Sequence, residues 1–232
     1  MWEARPLDED VFLEPARPRF EARARRRIEL QPFFAVRNVE VSGRIEDAEG
    51  KGVAGAKVSI WLAPDETPPS GGVSPPAPVE TDAEGRYRFE RVRPDLRWRL
   101  GVRASGFSYR VGPPFRVGRG QRTEVPALML VRGWRLEARI WRGGGVPVAG
   151  VLVRAVPAAR PDAMDPQARG AMVEAISGPD GVAILDDLPP EDVRVHAGGG
   201  AWLALDDVVA WPRTGEVRVW NGILSVAPRL QG

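Results

Sequence analysis

Apolar and polar residues alternate in short runs along this chain. "VEVSGRI" (39–45), "AKVSIWL" (56–62), "RYRFERV" (86–92) and "RWRLGVRA" (97–104) all have a period near two. So do "WRLEARIW" (134–141), "VLVRAV" (151–156), "VRVHA" (193–197) and "EVRVW" (216–220). Successive side chains of a strand point to opposite sides of its sheet, so a half-buried strand requires this alternation. In "RWRLGVRA", Trp98, Leu100, Val102 and Ala104 share one face, and Arg97, Arg99 and Arg103 share the other. In "RYRFERV", Tyr87 and Phe89 point inward while Arg86 and Arg88 point outward. The rings therefore belong to a core and cannot also stack on bases. Between the runs, 26 Gly and 23 Pro leave little room for long helices. The spacing predicts an all-β sandwich architecture.

The pattern also repeats. "VAGAKV" (53–58) returns as "VAGVLV" (148–153), and "TDAEGRYRFERVRP" (81–94) returns as "SGPDGVAILDDLPP" (177–190). Gly85 then falls on Gly181, Phe89 on Leu185, Val92 on Leu188 and Pro94 on Pro190. "RTEVPALMLVRGWRLEARI" (122–140) matches "RRIELQPFFAVRNVEVSGRI" (26–45), and residues 215–230 read as a third copy of that closing strand. This predicts a charged N-terminal arm over 1–37 that ends in a strand, a sandwich over 38–132 and a second over 133–232. Gly85 is expected to end a tight turn at positive φ, and Pro94 to open a turn between hairpin strands.

"VSGRIEDAEGKGVAGAKVSIWL" followed by "VETDAEGRYRFERVRPDLRWRLGVRASGF" resembles the carboxypeptidase regulatory-like family. Gly43, Gly55, Thr81, Asp82, Gly85, Tyr87, Phe89, Pro94, Leu100, Gly106 and Phe107 fit its pattern; Trp98 stands where that family usually has Tyr, and Asp95 where it has Gly. The second half fits through Gly150, Gly181, Leu185, Leu188 and Pro190, with Ala183 in place of an aromatic. The resemblance implies two tandem transthyretin-like, Ig-like Greek-key sandwiches with a non-catalytic structural or binding role. It also suggests an extracytoplasmic setting. Related urate-ring-opening enzymes need several histidines, and related dioxygenases need two His and two Tyr ligands. This chain has one His and two Tyr. Related adhesin sandwiches carry a Lys–Asn cross-link whose lysine would lie near Arg44 or Glu137; neither is Lys.

Composition narrows the chemistry further. There is no Cys, so disulfides and thiolate sites are excluded. Lys+Arg is 33 against 31 Asp+Glu, a formal net charge of +2, and acidic residues interleave with the arginines. That balance argues against a nucleic-acid field. No apolar run reaches membrane-spanning length, and the acidic start has no secretory h-region. The lone His196 reads as a strand residue. Asp186-Asp187, Glu191-Asp192 and Asp206-Asp207 read as turn acids, with no ordered Ca²⁺ loop. No catalytic residue, cofactor or metal is expected. The arm runs from acidic (3–14) to basic (17–27). Its apolar residues Ile28, Leu30, Phe33, Phe34 and Val36 form a candidate interaction strand, which either packs on the first sandwich or adds to a neighbouring chain. Trp98 and Trp134 are expected in cores, with Trp61 and Trp220 on the opposite strand faces. Trp141 and Trp211 border loops and form a candidate sugar platform or a buried hinge. Protein partners or self-association are expected ahead of a small molecule, with carbohydrate as an alternative.

Overall fold

The computed structural model describes residues 34–67, 73–159, 170–199, 202–212 and 217–225, and the short stretches 2–3, 11–14 and 19–20. Every regular element named below is a strand. In the arm these are β1 (Trp2–Glu3), β2 (Val11–Glu14), β3 (Arg19–Phe20) and β4 (Phe34–Arg37). β1 pairs with β3, and β2 with β4, both antiparallel. The chain divides into two compact units. One comprises Met1–Val102 with Val111–Met129; the other comprises Arg103–Arg110 with Leu130–Gly232.

The first unit contains β5 (Val39–Glu46), β6 (Lys57–Leu62), β7 (Val79–Glu80), β8 (Arg86–Val92) and β9 (Arg97–Arg103). It continues with β10 (Arg110–Val111), β11 (Phe115–Arg116), β12 (Thr123–Glu124) and β13 (Leu128–Met129). One sheet runs β10-β9-β6-β7, with β11 also on β9; the other centres on β5, flanked by β8 and by β12 and β13. β8 is antiparallel to β5, whereas β12 and β13 are parallel to it. Tyr87, Phe89, Trp98, Leu100 and Val102 are all buried, as their alternation requires.

The second unit contains β14 (Trp134–Arg142), β15 (Val146–Pro147), β16 (Leu152–Pro157) and β17 (Val173–Ile176). After these come β18 (Val182–Leu188), β19 (Val193–Gly199), β20 (Trp202–Val209) and β21 (Arg218–Leu224). Its sheets are β17-β16-β19-β20, and β14 flanked by β15, β18 and β21. Its core gathers Leu136, Ala138, Ile140, Val153, Leu185, Leu188 and Val195, with Trp134 and Trp220. The two units are tandem Ig-like sandwiches.

Two expectations need correction. β8 and β9 form no hairpin: β8 pairs with β5 and β9 with β6, so the Pro94 turn crosses between sheets. The inward faces of the two strands both carry large side chains, Phe89 and Trp98 among them, and these fill the core from opposite walls. Asp95 takes the left-handed place in that turn, at φ 65°. Trp220 faces the second core, 8% exposed, and its indole donates to Asp207 at 2.9 Å. β21 falls within the closing strand expected over 215–230. Within it, Gly222 lies under the Trp220 ring, where a Cβ would come within 2.8 Å.

Candidate functional site

Both units contain the same hydrogen-bonded corner. Thr81 donates its hydroxyl to the Val53 carbonyl at 2.7 Å and accepts from the Ala56 amide at 2.8 Å. Ser177 does the same with Val148 at 2.7 Å and Val151 at 3.0 Å. Gly85 and Gly181 both sit at φ 77°, with their carbonyls accepting from Ile45 and Ile140 at 2.8 Å. A Cβ on either glycine would come within 2.4 or 2.5 Å of that residue's carbonyl oxygen. These buried residues are architectural, so chemistry must be sought on the faces and loops.

The polar candidates prove to be engaged with their neighbours. His196 lies within β19, opposite Arg154 and Asp206, with Nδ1 at 3.2 Å from the Asp206 carboxylate. Asp186 receives Arg135 at 2.5 Å, and Asp192 accepts from the Trp211 amide at 2.9 Å. Asp187 stands at φ 62° and accepts from the Gly106 amide at 2.9 Å. Burial raises the Asp187 carboxyl above its ordinary value; Arg103 and Arg135 pull the other way. Among the described residues, no three His, Asp or Glu side chains gather to hold a metal. The inward positions of the first strands are apolar, Val41 and Ile45 in one unit and Leu136, Ala138 and Ile140 in the other.

The two sandwiches diverge on the outer faces of the sheets built on β5 and β14. Strand register places Glu137 between Ile184 and Val219, and Trp141 between Pro147 and Ile223. Ile184, Val219 and Ile223 are 51%, 43% and 66% exposed, and Val146 and Val217 are exposed beside them. Sequence reading passed over these apolar residues because the repeat sets Ile184 on Arg88. A signal was present nonetheless: "VAILDDL" is apolar at four successive positions and so presents both faces as greasy. Trp141 is half-buried on this outer face, whereas Trp211 packs against the second core. Val36, within β4, is buried. Phe34 belongs to the same strand, and Ile28, Leu30 and Phe33 lie outside the described residues.

Comparison with known proteins places the first sandwich: residues 40–130 match the carboxypeptidase regulatory-like domain. Over these residues the chain is similar to a carboxypeptidase regulatory-like domain. The second unit repeats that domain's corner and parallel closing strand. No curated protein matches the chain. Among solved structures, a streptococcal ancillary pilin aligns over 83% of this chain at 11% identity and TM-score 0.39, and the chain spans 63% of that protein. GBS52, a minor pilin of Streptococcus agalactiae, aligns over 84% of this chain and 98% of its own at 10% identity and TM-score 0.40. BcpA, the major pilin subunit of Bacillus cereus, aligns over 82% of this chain and 100% of its own at 7% identity and TM-score 0.33.

Proposed function

We propose that this chain is a non-catalytic structural module of a cell-surface assembly, acting through protein–protein contact and self-association. The observation that carries the reading is the apolar outer face of the β14 sheet, where Ile184, Val219 and Ile223 stand exposed. Two of these residues lie on β21, which pairs only with β14 among the described strands. An edge strand with apolar flanks is a template for another chain. A second copy is the simplest occupant, and a head-to-tail contact between copies would propagate into a filament. The arm segment with Ile28, Leu30, Phe33, Phe34 and Val36 in its sequence is the proposed donor, because that sequence copies a closing strand. The test is light scattering on the full chain and on the double variant V219K/I223K. The wild-type mass should rise with concentration and the variant's should stay at one chain. A wild type that is monomeric at high concentration, or a variant that associates equally well, would end the proposal.

A further inference from the structure

The outer face of the first unit's β8–β5–β12 sheet carries a cleft of about 590 Å³. Its register sets Arg44 directly opposite Arg86, and Ser42 between Arg88 and Glu124. Like charges facing one another across strands oppose pairing. Nothing in the core beneath requires them there.

Three of the four arginines in this cleft are already engaged. Arg44 reaches Glu46 at 2.7 Å and the Glu84 carbonyl at 2.9 Å. Arg88 and Arg122 share Glu40, at 2.9 and 2.8 Å, and Arg122 also reaches the Ser42 hydroxyl at 3.2 Å. The Arg86 side chain has no hydrogen bond or ion pair among the described residues. Neither have the carboxylates of Glu80 and Glu124, which line the same cleft. Charges of both signs, unpaired among the described residues, thus line one concavity without meeting. Tyr87 lines it too. Its ring is 3% exposed, and its buried hydroxyl has no partner. A buried polar atom left unsatisfied is costly. Glycine at position 43 makes room for it, since a Cβ there would come within 2.5 Å of that hydroxyl.

We infer that this cleft binds an acidic carbohydrate, a sugar bearing a single carboxylate among free hydroxyls. The planar guanidinium of Arg86, with Arg44 opposite, takes the carboxylate in a forked, charge-assisted contact. Glu80 and Glu124 can only accept hydrogen bonds, and sugar hydroxyls supply the donors they lack. A multiply charged anion such as phosphate would meet the two carboxylates at close range, which disfavours it.

The test is calorimetric titration of the full chain with a galacturonate oligosaccharide. Controls are the neutral galactose oligosaccharide of equal length, inorganic phosphate and a mixed Glu/Lys peptide. The uronate should bind saturably and the neutral sugar should not. R86Q should weaken binding about ten-fold or more, and R86K should retain part of it. Thermal unfolding of R86Q should match wild type, since the exposed Arg86 side chain has no partner among the described residues. Absence of uronate binding, or binding unchanged by R86Q, overturns the inference. Equal affinity for phosphate would make the cleft a general anion site, and preference for the peptide would make it a protein-docking site; either result also overturns it.

Discussion

At the scale of single residues, the conformational constraints were legible and the electrostatic ones were not. Gly85 had to be glycine for a turn at positive φ, and its repeat partner Gly181 shares the same 77°. Asp187 was read as a solvated turn acid. It is instead a half-buried carboxylate that accepts from Gly106, a contact 81 residues away along the chain that no local pattern encodes. Its raised carboxyl gives a prediction whose sign follows from linkage. Below the ordinary value of 3.8 the group is neutral in folded and unfolded chains alike, and its burial costs nothing extra. As pH rises through the raised folded value, the folded chain must ionise a desolvated group and loses stability relative to the unfolded chain. D187N keeps the acceptor for Gly106, tolerates the left-handed backbone and removes the charge. Its unfolding midpoint should exceed wild type at neutral pH, and the gap should close below 3.8. A gap that persists or grows on acidification would show that burial of this charge is not what shapes the local stability.

Whole elements were read best where alternation was clean and worst at edges. β5, β8, β9 and β14 fall within a residue or two of their expected bounds because one face of each is buried throughout. β20 was not anticipated. In "WLALDDVV" (202–209) no face is consistently apolar, and Leu203 and Val208 remain exposed on this edge strand. The closing strands also differ between the units. Pro126 interrupts the first into the two-residue pieces β12 and β13, since proline offers no amide to the ladder. The corresponding "RVWNGIL" runs unbroken beside β14. The corner held by Thr81 or Ser177 ties the loop before the second long strand to the short strand that follows the Pro-rich loop. T81V removes the hydroxyl but leaves a buried carbonyl and amide behind, a loss of about 2–4 kcal/mol for two orphaned groups. S177A should cost the second unit a similar amount, whereas T81S and S177T, which keep the hydroxyl, should cost little. Denaturant unfolding of the four variants checks this. If T81S proves as damaging as T81V, the methyl packing matters and the hydrogen bonds do not.

At the scale of the molecule, the repeat told more than any single motif, because two copies of one fold isolate what differs between them. The cores and corners are shared; the outer faces are not. Arg88 in one unit answers to Ile184 in the other, so one sheet presents charge and its counterpart presents apolar surface. No periodicity argument predicts that divergence, since either residue satisfies an outward position. The arm poses the remaining question at this scale. β4 pairs with β2 of the same arm, and Val36 is 5% exposed, so residues 34–37 are partly accommodated within their own chain. Burying one valine contributes about 1.5–3 kcal/mol, which a chain beginning at Asn38 forgoes without losing either sandwich core. Such a chain should therefore stay folded by near-ultraviolet circular dichroism. If the arm is the donor strand, its mass by light scattering should remain that of one chain at concentrations where the full chain associates. Equal association of the two would remove the arm from the contact and leave the β14 face alone to carry it. A truncated chain that associates more strongly than the full one would reverse the role, making the arm a cover over that face.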